Sequence, residues 1–296
     1  MRGELELIVD LKADLAEGPC WDAQNQLLYW VDIMENKVHI HDTKSGGNRS
    51  IDIGQNVGCI VLRKSGGAVL ALQHGLYFLD LKTEKLTPVI DPESHLPGNR
   101  FNDGKCDCAG RLWVGTLMID QGSVNAKNAG TLYCLDIDLS VRAVLRDVTI
   151  SNGITWSPDN KIMYFIDTPT MQIAAFDFDP GSGEVKNKRI VATIPEGEGV
   201  PDGMTTDTEG MLWVAQWDGS NVSRWDPYTG RLVEKITLPV SGTTSCIFGG
   251  AGLEDLYITS ARAGIKEEDI VKQPHAGGIF KIKPGVKGVE TYKFGG

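Results

Sequence analysis

Short runs of apolar residues, separated by polar turns, follow one another along the whole chain. Frequent turns between short apolar runs are typical of all-β proteins. Glycine accounts for 35 of the 296 residues and often marks the breaks, as at Gly46-Gly47 and Gly66-Gly67. Helical periodicity is nearly absent, and only residues 265–269 indicate a short helical turn. The pattern therefore predicts an all-β protein.

An internal repeat divides the chain into six similar parts. Each copy has a polar residue, a glycine, a short apolar run, a turn with aspartate and a second apolar run. Clear copies start at Glu17, Asp103, Asn152 and Asp202, and weaker copies start at Val57 and Ser245. The steps between these starts are 40, 46, 49, 50 and 43 residues, and one four-stranded propeller blade takes about 40–50 residues. The sequence therefore predicts a single six-bladed β-propeller domain over residues 1–296.

The short apolar strand at residues 5–9 precedes the first repeat. We predict that it pairs with a strand of the last blade, near residues 278–282. This pairing would close the ring and protect edges that are otherwise unpaired.

The repeat also predicts where a functional site lies. The first strand of each propeller blade lines the central channel, so equivalent strand starts meet at one mouth. Four of the six starts carry carboxylate or amide oxygens, which are well suited to a hard cation: Glu17, Asp103, Asn152 and Asp202. Converging carboxylates raise one another's pKa unless a cation neutralises them. All-oxygen ligation suits Ca²⁺, Mg²⁺ or Mn²⁺. For each position alone, an acidic or amide side chain before glycine is also explained by a turn cap, but turn chemistry does not explain the shared register.

Composition and charge exclude several other classes. The formal net charge is −10, from 29 basic and 39 acidic residues without a basic cluster, so nucleic acid and anionic membranes are poor partners. No apolar run approaches 18 residues, and the start of the chain lacks a signal-peptide pattern, so we predict neither a membrane span nor secretion. The six cysteines show no zinc or Cys-x-x-Cys spacing. Buried free thiols are the preferred interpretation, which favours a reducing, cytoplasmic location.

Four motifs at the predicted mouth resemble the senescence marker protein / gluconolactonase / regucalcin family. They are Ala16-Glu17-Gly18-Pro19, Arg100-Phe101-Asn102-Asp103-Gly104-Lys105, Ser151-Asn152-Gly153-Ile154 and Pro201-Asp202-Gly203-Met204. The resemblance spans essentially the whole chain. It implies a six-bladed propeller that hydrolyses a small-molecule sugar lactone with one divalent metal. It also implies Glu17, Asn152 and Asp202 as metal ligands, and Arg100 and Asn102 as residues that hold the lactone.

Two further acidic residues, Asp120 and Asp103, lie near the predicted site. In some members of the family an acidic residue after the Gly-Thr of the third blade contacts sugar hydroxyls. Asp120 takes that place here, although it is shorter than the glutamate of a regucalcin-like member. Asp103 lies beside the site in the repeat register, but the resemblance does not make it a ligand. Ca²⁺ is the predicted cation, with Mg²⁺, Mn²⁺, Zn²⁺ and Fe²⁺ as alternatives.

The predicted chemistry is hydrolysis of the lactone ester. The cation would polarise the carbonyl, Asp202 is the candidate general base, and Arg100 would anchor substrate oxygens. A hydroxide on the cation is the alternative nucleophile, and an activated ester is an alternative substrate. The alternative functions are a non-catalytic calcium-binding or regulatory propeller and a protein-interaction propeller. Arg100 and Asn102 favour the enzyme, and the chain lacks the Gly-x-Ser-x-Gly signature of serine hydrolases.

Overall fold

The six repeats fold into six four-stranded sheets in the computed structural model, which describes residues 3–296. Residues 1 and 2, the first two of the predicted domain, lie outside the described residues. Within each sheet, neighbouring strands pair antiparallel. The strand bounds follow the repeat, blade by blade.

The strand β1 (Glu6–Val9) comes before the first blade, which contains β2 (Ala16–Asp22), β3 (Leu27–Asp32), β4 (Lys37–Asp42) and β5 (Asn48–Asp52). The second blade contains β6 (Val57–Leu62), β7 (Ala68–Leu72), β8 (Gly75–Leu79) and β9 (Leu86–Ile90), and the third contains β10 (Asn99–Cys106), β11 (Leu112–Met118), β12 (Gly130–Leu135) and β13 (Val141–Val148). The fourth contains β14 (Ser151–Trp156), β15 (Ile162–Asp167), β16 (Gln172–Phe178) and β17 (Val185–Thr193). The fifth contains β18 (Val200–Thr206), β19 (Leu212–Trp217), β20 (Asn221–Asp226) and β21 (Arg231–Thr237), and the sixth contains β22 (Thr243–Gly249), β23 (Asp255–Ser260) and β24 (Ile279–Ile282).

Among residues 3–296, helical structure is limited to short turns. Two 3₁₀ turns cover Thr168–Thr170 and Ala251–Leu253, and the helix α1 covers Glu267–Ile270. The helix overlaps residues 265–269, whose sequence indicated a helical turn. None of the helices among residues 3–296 has the length and apolar character needed to cross a membrane.

The first strand of each blade is the inner strand of its sheet. These strands are β2, β6, β10, β14, β18 and β22, and each packs against the inner strand of the next blade around a closed ring. Six clusters of buried apolar side chains fill the interfaces between neighbouring blades. The predicted six-bladed β-propeller is therefore confirmed.

The ring closes as the sequence predicted. β1 pairs antiparallel with β24, with Glu6 opposite Lys281 and Leu7 opposite Phe280. The sixth sheet therefore has the order β22-β23-β24-β1 and combines strands from both ends of the chain. This pairing covers the outer edge of β24, which would otherwise present unpaired backbone groups.

Segment 283–296 was not anticipated from the sequence, because it lacks an alternating pattern. It lies across the end of the channel opposite to the strand starts. Its backbone amides donate in turn to carbonyl oxygens at the far ends of three blades: Gly288 to Leu253 at 2.9 Å, Val289 to Thr206 at 3.3 Å and Phe294 to Leu62 at 2.8 Å. The ring of Phe294 is fully buried between the second and third blades.

In the third and fifth blades, a buried aspartate fixes the turn after the inner strand and also binds a tryptophan ring nitrogen and a buried arginine. In the fifth blade, Asp207 Oδ1 accepts the backbone amides of Glu209 and Met211, at 2.9 and 3.0 Å. Its Oδ2 accepts Trp213 Nε1 at 2.9 Å and Arg224 Nε at 2.8 Å. In the third blade Asp107 makes the corresponding bonds, with Trp113 and a buried arginine as partners. The aspartate of the repeated turn is therefore structural in these blades.

Replacing Asp207 by alanine should destabilise the fold by about 3 kcal/mol, because the Trp213 ring nitrogen loses its acceptor and the buried Arg224 guanidinium keeps only its bond to the exposed carboxylate of Glu209. Urea unfolding followed by tryptophan fluorescence measures this change. Asp226 accepts turn amides in the same way, but its carboxylate is exposed, so Asp226→Ala should cost much less. Equal costs for the two variants would contradict this explanation.

Candidate metal and substrate site

A break in strand pairing marks the functional motif in every inner strand. The register between inner strand and second strand shifts between Glu17 and Cys20, between Phe101 and Gly104, between Ser151 and Ile154 and between Pro201 and Met204. The second and sixth blades shift at the equivalent place. Such bulges redirect side chains and are frequent beside active sites. They lie where Asn102, Asp103, Asn152 and Asp202 leave the regular ladder.

The glycines of the motifs allow neighbouring inner strands to approach closely. A Cβ atom on Gly153 would lie 2.7 Å from the Asp202 carbonyl oxygen, and one on Gly203 would lie 2.0 Å from Ser245 Oγ. Both glycines lie inside strands, so the turn explanation does not account for them. Two of the acidic side chains also cap the backbone locally: Glu17 Oε2 and Asp103 Oδ1 each accept a hydrogen bond from the next backbone amide at 2.8 Å.

Three buried carboxylates converge at this end of the channel. Glu17 is 5% exposed, and Asp103 and Asp202 are each 7% exposed. Glu17 and Asp202 lie within hydrogen-bonding reach of each other. Burial and the charge of Asp103 raise the pKa of Glu17 to about 8. Burial and the charges of Glu17 and Asp103 raise the pKa of Asp202 well above its usual range. The protein alone therefore leaves this negative charge undercompensated.

Two basic side chains lie near these carboxylates. Arg100 faces Glu17 and Asp202, and burial lowers its pKa to about 10. Lys105 lies on the same strand as Asp103 and extends across the channel, where Nζ donates to the carbonyl oxygen of Met204 at 2.8 Å. Burial raises the pKa of Asp103, and the charge of Lys105 opposes that rise. No role was predicted for Lys105 from the sequence, although a lysine inside a channel-lining strand could have indicated a residue of the site.

The amide side chains connect the predicted substrate residues to the predicted metal ligands. Arg100 Nη1 donates to Asn102 Oδ1 at 2.6 Å and to the carbonyl oxygen of Phe101 at 2.9 Å. Asn102 Nδ2 donates to Asn152 Oδ1 at 2.8 Å. The structure therefore brings Glu17, Asn152 and Asp202 together at one mouth, as the repeat register predicted, and it places Arg100 and Asn102, which the family resemblance indicated, beside them. It also places Asp103 in the same cluster.

Asp120 lies apart from these contacts. It is exposed in the loop after β11, and its Oδ1 accepts the backbone amide of Gly122 at 3.1 Å. The bond to Gly122 shows only that Asp120 caps its own loop. Its contact with sugar hydroxyls therefore stays a prediction. The neighbouring residues 121–125 form part of the same loop, in which Val124 is 94% exposed.

The predicted ligands can be compared with the ligands that a divalent cation prefers. Within residues 3–296, no group of three or more His, Cys, Asp or Glu side chains is arranged to hold a metal ion. The predicted set contains only two such side chains, Glu17 and Asp202, and is completed by the amide oxygen of Asn152. These three hard oxygen donors suit Ca²⁺ or Mg²⁺. Their buried, undercompensated charge also favours a cation, so the residues present fit the predicted group.

The fold and site together define a six-bladed β-propeller with an oxygen-donor site at one mouth of its channel. The family model described as "SMP-30/Gluconolactonase/LRE-like region" matches residues 15–262. The chain belongs to this family, as the four motifs indicated.

Similar proteins are known from bacteria and vertebrates. Regucalcin from Gallus gallus is 40% identical over 295 residues, which are 99% of each chain. The candidate sugar lactone lactonase YvrE of Bacillus subtilis (strain 168) is 37% identical over 290 residues, which are 98% of each chain. The crystal structure of a calcium-binding protein, regucalcin, from Agrobacterium tumefaciens str. C58 superposes with a TM-score of 0.93 at 27% identity, covering 99% of this chain and 97% of that one.

Proposed function

We propose that this protein hydrolyses a sugar lactone, of the aldonolactone class, with one divalent cation held by Glu17, Asn152 and Asp202. The observation that carries the proposal is the convergence of these three side chains, from three different blades, beside Arg100 and Asn102. Ca²⁺ is the proposed cation. When bound, it would supply Lewis-acid polarisation of the lactone carbonyl.

The residues of the chain supply the remaining chemistry. Asp202 takes a proton from the attacking water and returns it to the ring oxygen that leaves, as a general base and then a general acid. Because Asp202 is also a proposed cation ligand, this role requires a carboxylate oxygen that is not bound to the cation. Arg100 donates through its planar guanidinium to oxygens of the substrate, which fixes the lactone in one orientation. Asn102 holds Arg100 by accepting from Nη1.

The relatives support this proposal in two ways. The family description and the name of YvrE both refer to lactonases. The regucalcin relatives support a divalent cation, since the Agrobacterium tumefaciens protein is described as calcium-binding. The same names favour a second candidate function, calcium binding without catalysis. Arg100 favours the enzyme, because a cation site alone has no use for a guanidinium beside its carboxylates.

Metal depletion distinguishes the two functions. After removal of cations with a chelator, hydrolysis of a panel of aldonolactones should fall to the uncatalysed rate. It should return on addition of Ca²⁺, Mg²⁺, Mn²⁺, Zn²⁺ or Fe²⁺, with one cation giving the highest rate. Acid release followed with a pH indicator measures the activity. A protein that binds cations but hydrolyses none of the lactones or activated esters would contradict the proposed activity.

A further inference from the structure

The side chain of Thr168 lies behind the proposed cation site. It is 8% exposed and begins the 3₁₀ turn Thr168–Thr170, directly after β15. Its Oγ1 lies 2.8 Å from Asn152 Nδ2 and 2.8 Å from the carbonyl oxygen of Pro201. Pro201 is the residue before Asp202. One hydroxyl therefore contacts one proposed ligand and the backbone next to another.

The direction of these hydrogen bonds follows from the groups at the two ends of the chain of contacts. The carbonyl oxygen of Pro201 can only accept, so the Thr168 hydroxyl must donate its single hydrogen there. Thr168 Oγ1 can then only accept from Asn152, and the atom of Asn152 that faces it must be Nδ2. At the other end Arg100 can only donate, so the atom of Asn102 that faces it must be Oδ1.

The same reasoning fixes the oxygen of Asn152. Asn102 Nδ2 has two hydrogens, which it donates to the carbonyl oxygen of Ser151 at 2.7 Å and to Asn152 Oδ1 at 2.8 Å. Since an amide oxygen has two lone pairs, Asn152 Oδ1 keeps one for a further partner. An Asn152 side chain with its amide flipped would place two NH₂ groups, its own and that of Asn102, against each other.

The backbone around Thr168 is firmly held. Its amide donates to the carbonyl oxygen of Ile150 at 3.1 Å. The preceding residue, Asp167, accepts the backbone amides of Thr149 and Ile150. Pro169 occupies the first turn of the 3₁₀ helix, where its ring fixes φ. The hydroxyl is therefore presented from a firmly held backbone.

We propose that Thr168 is a positioning residue that sets the amide orientation of Asn152, so that Oδ1 and not the NH₂ group faces a divalent cation. The inference rests on the proposed cation site, but not on the proposed hydrolysis. Partners that orient a metal ligand typically change metal affinity by about 10–100-fold when they are removed. Because Asn102 contributes a second constraint on the same amide, the lower end of that range is expected here.

Thr168→Val keeps the shape of the side chain and removes the hydroxyl. It should weaken the Kd for Ca²⁺ and for Mn²⁺ about tenfold, measured by isothermal titration calorimetry on the full chain. Thr168→Ser keeps the hydroxyl and should bind within about twofold of the wild type. The matched control is Thr155→Val in the same blade, because Thr155 is also buried and its hydroxyl forms a hydrogen bond with Thr206 Oγ1 at 2.9 Å instead of with a proposed ligand. The control should leave the Kd unchanged.

A second measurement needs no cation. In the cation-free protein, hydrogen exchange of the Asn152 side-chain NH₂ group, followed by NMR, should be slow in wild type and Thr168→Ser and faster in Thr168→Val. Thr168→Val with the Kd and exchange rate of the wild type would overturn the inference, and so would Thr168→Ser as weak as Thr168→Val. A wild type that binds cations without hydrolysing lactones would contradict only the proposed hydrolysis.

Discussion

Asp202→Asn should lower kcat for lactone hydrolysis by about 10³-fold at saturating cation, within the 10²–10⁴-fold contribution of a general base. The substitution keeps the shape of the side chain and one oxygen, but it removes the proton acceptor. The fold should survive, because Asp202 lies among like charges and asparagine relieves that repulsion in the cation-free protein. Thermal unfolding without cation should therefore give a Tm equal to or above that of the wild type.

Asp103→Asn is the matched control. Asp103 occupies the equivalent position of another blade and is equally buried, but its Oδ1 accepts the Gly104 amide and its charge is opposed by Lys105. It should lose less than tenfold in kcat. Asp202→Asn with more than a tenth of the wild-type kcat would exclude Asp202 as the base. If Asp103→Asn lost 10³-fold instead, the base would have to be assigned to Asp103.

Cation binding should weaken about 100-fold between pH 9 and pH 6. Protons and the cation compete for the same carboxylates, and the pKa of Glu17 is about 8 without a cation. Two pH units below that value, about one molecule in a hundred has this carboxylate ionised. The titration belongs to the coupled cluster of Glu17, Asp103 and Asp202, so the curve reports the group and not one residue.

The cation-free protein should be more stable at low pH, where cation binding is weaker. A raised carboxyl pKa means that the folded state binds the proton more tightly than the unfolded chain. This contribution is fully present below the ordinary pKa of Glu17, 4.5, and is lost as the pH rises through about 8. The cation-induced rise in Tm should therefore be larger at pH 9 than at pH 6. In Glu17→Gln, the Kd and the cation-induced rise in Tm should both depend less on pH. A wild-type Kd that stays constant between pH 6 and pH 9 would contradict this explanation.

Much of the fold and the ring of site residues could be predicted, because both follow from one repeat. The steps between Glu17, Asp103, Asn152 and Asp202 match the length of a blade, and equivalent positions in a closed ring must meet at one mouth. The same regularity identified the pairing of β1 with β24. These predictions needed only the period of the pattern and the requirement that strand edges be covered.

The remaining features depend on contacts that have no period in the sequence. The bulges at Asn152 and Asp202 lie where neighbouring strands approach closely at Gly153 and Gly203, which is visible only in three dimensions. Thr168 lies in a short 3₁₀ turn. Nothing in the surrounding sequence indicates that its hydroxyl contacts Asn152. Segment 283–296 also lacks alternation, since it pairs with other blades at isolated points.

The central claim is that Glu17, Asn152 and Asp202 hold one divalent cation at this mouth. A crystal structure grown with Ca²⁺, with anomalous data to identify the ion, tests it most directly. We expect one strong anomalous peak at which the carboxylates of Glu17 and Asp202 and Oδ1 of Asn152 all lie about 2.3–2.6 Å from the ion. A peak bound by other residues, or no peak at this mouth at saturating Ca²⁺, would contradict it.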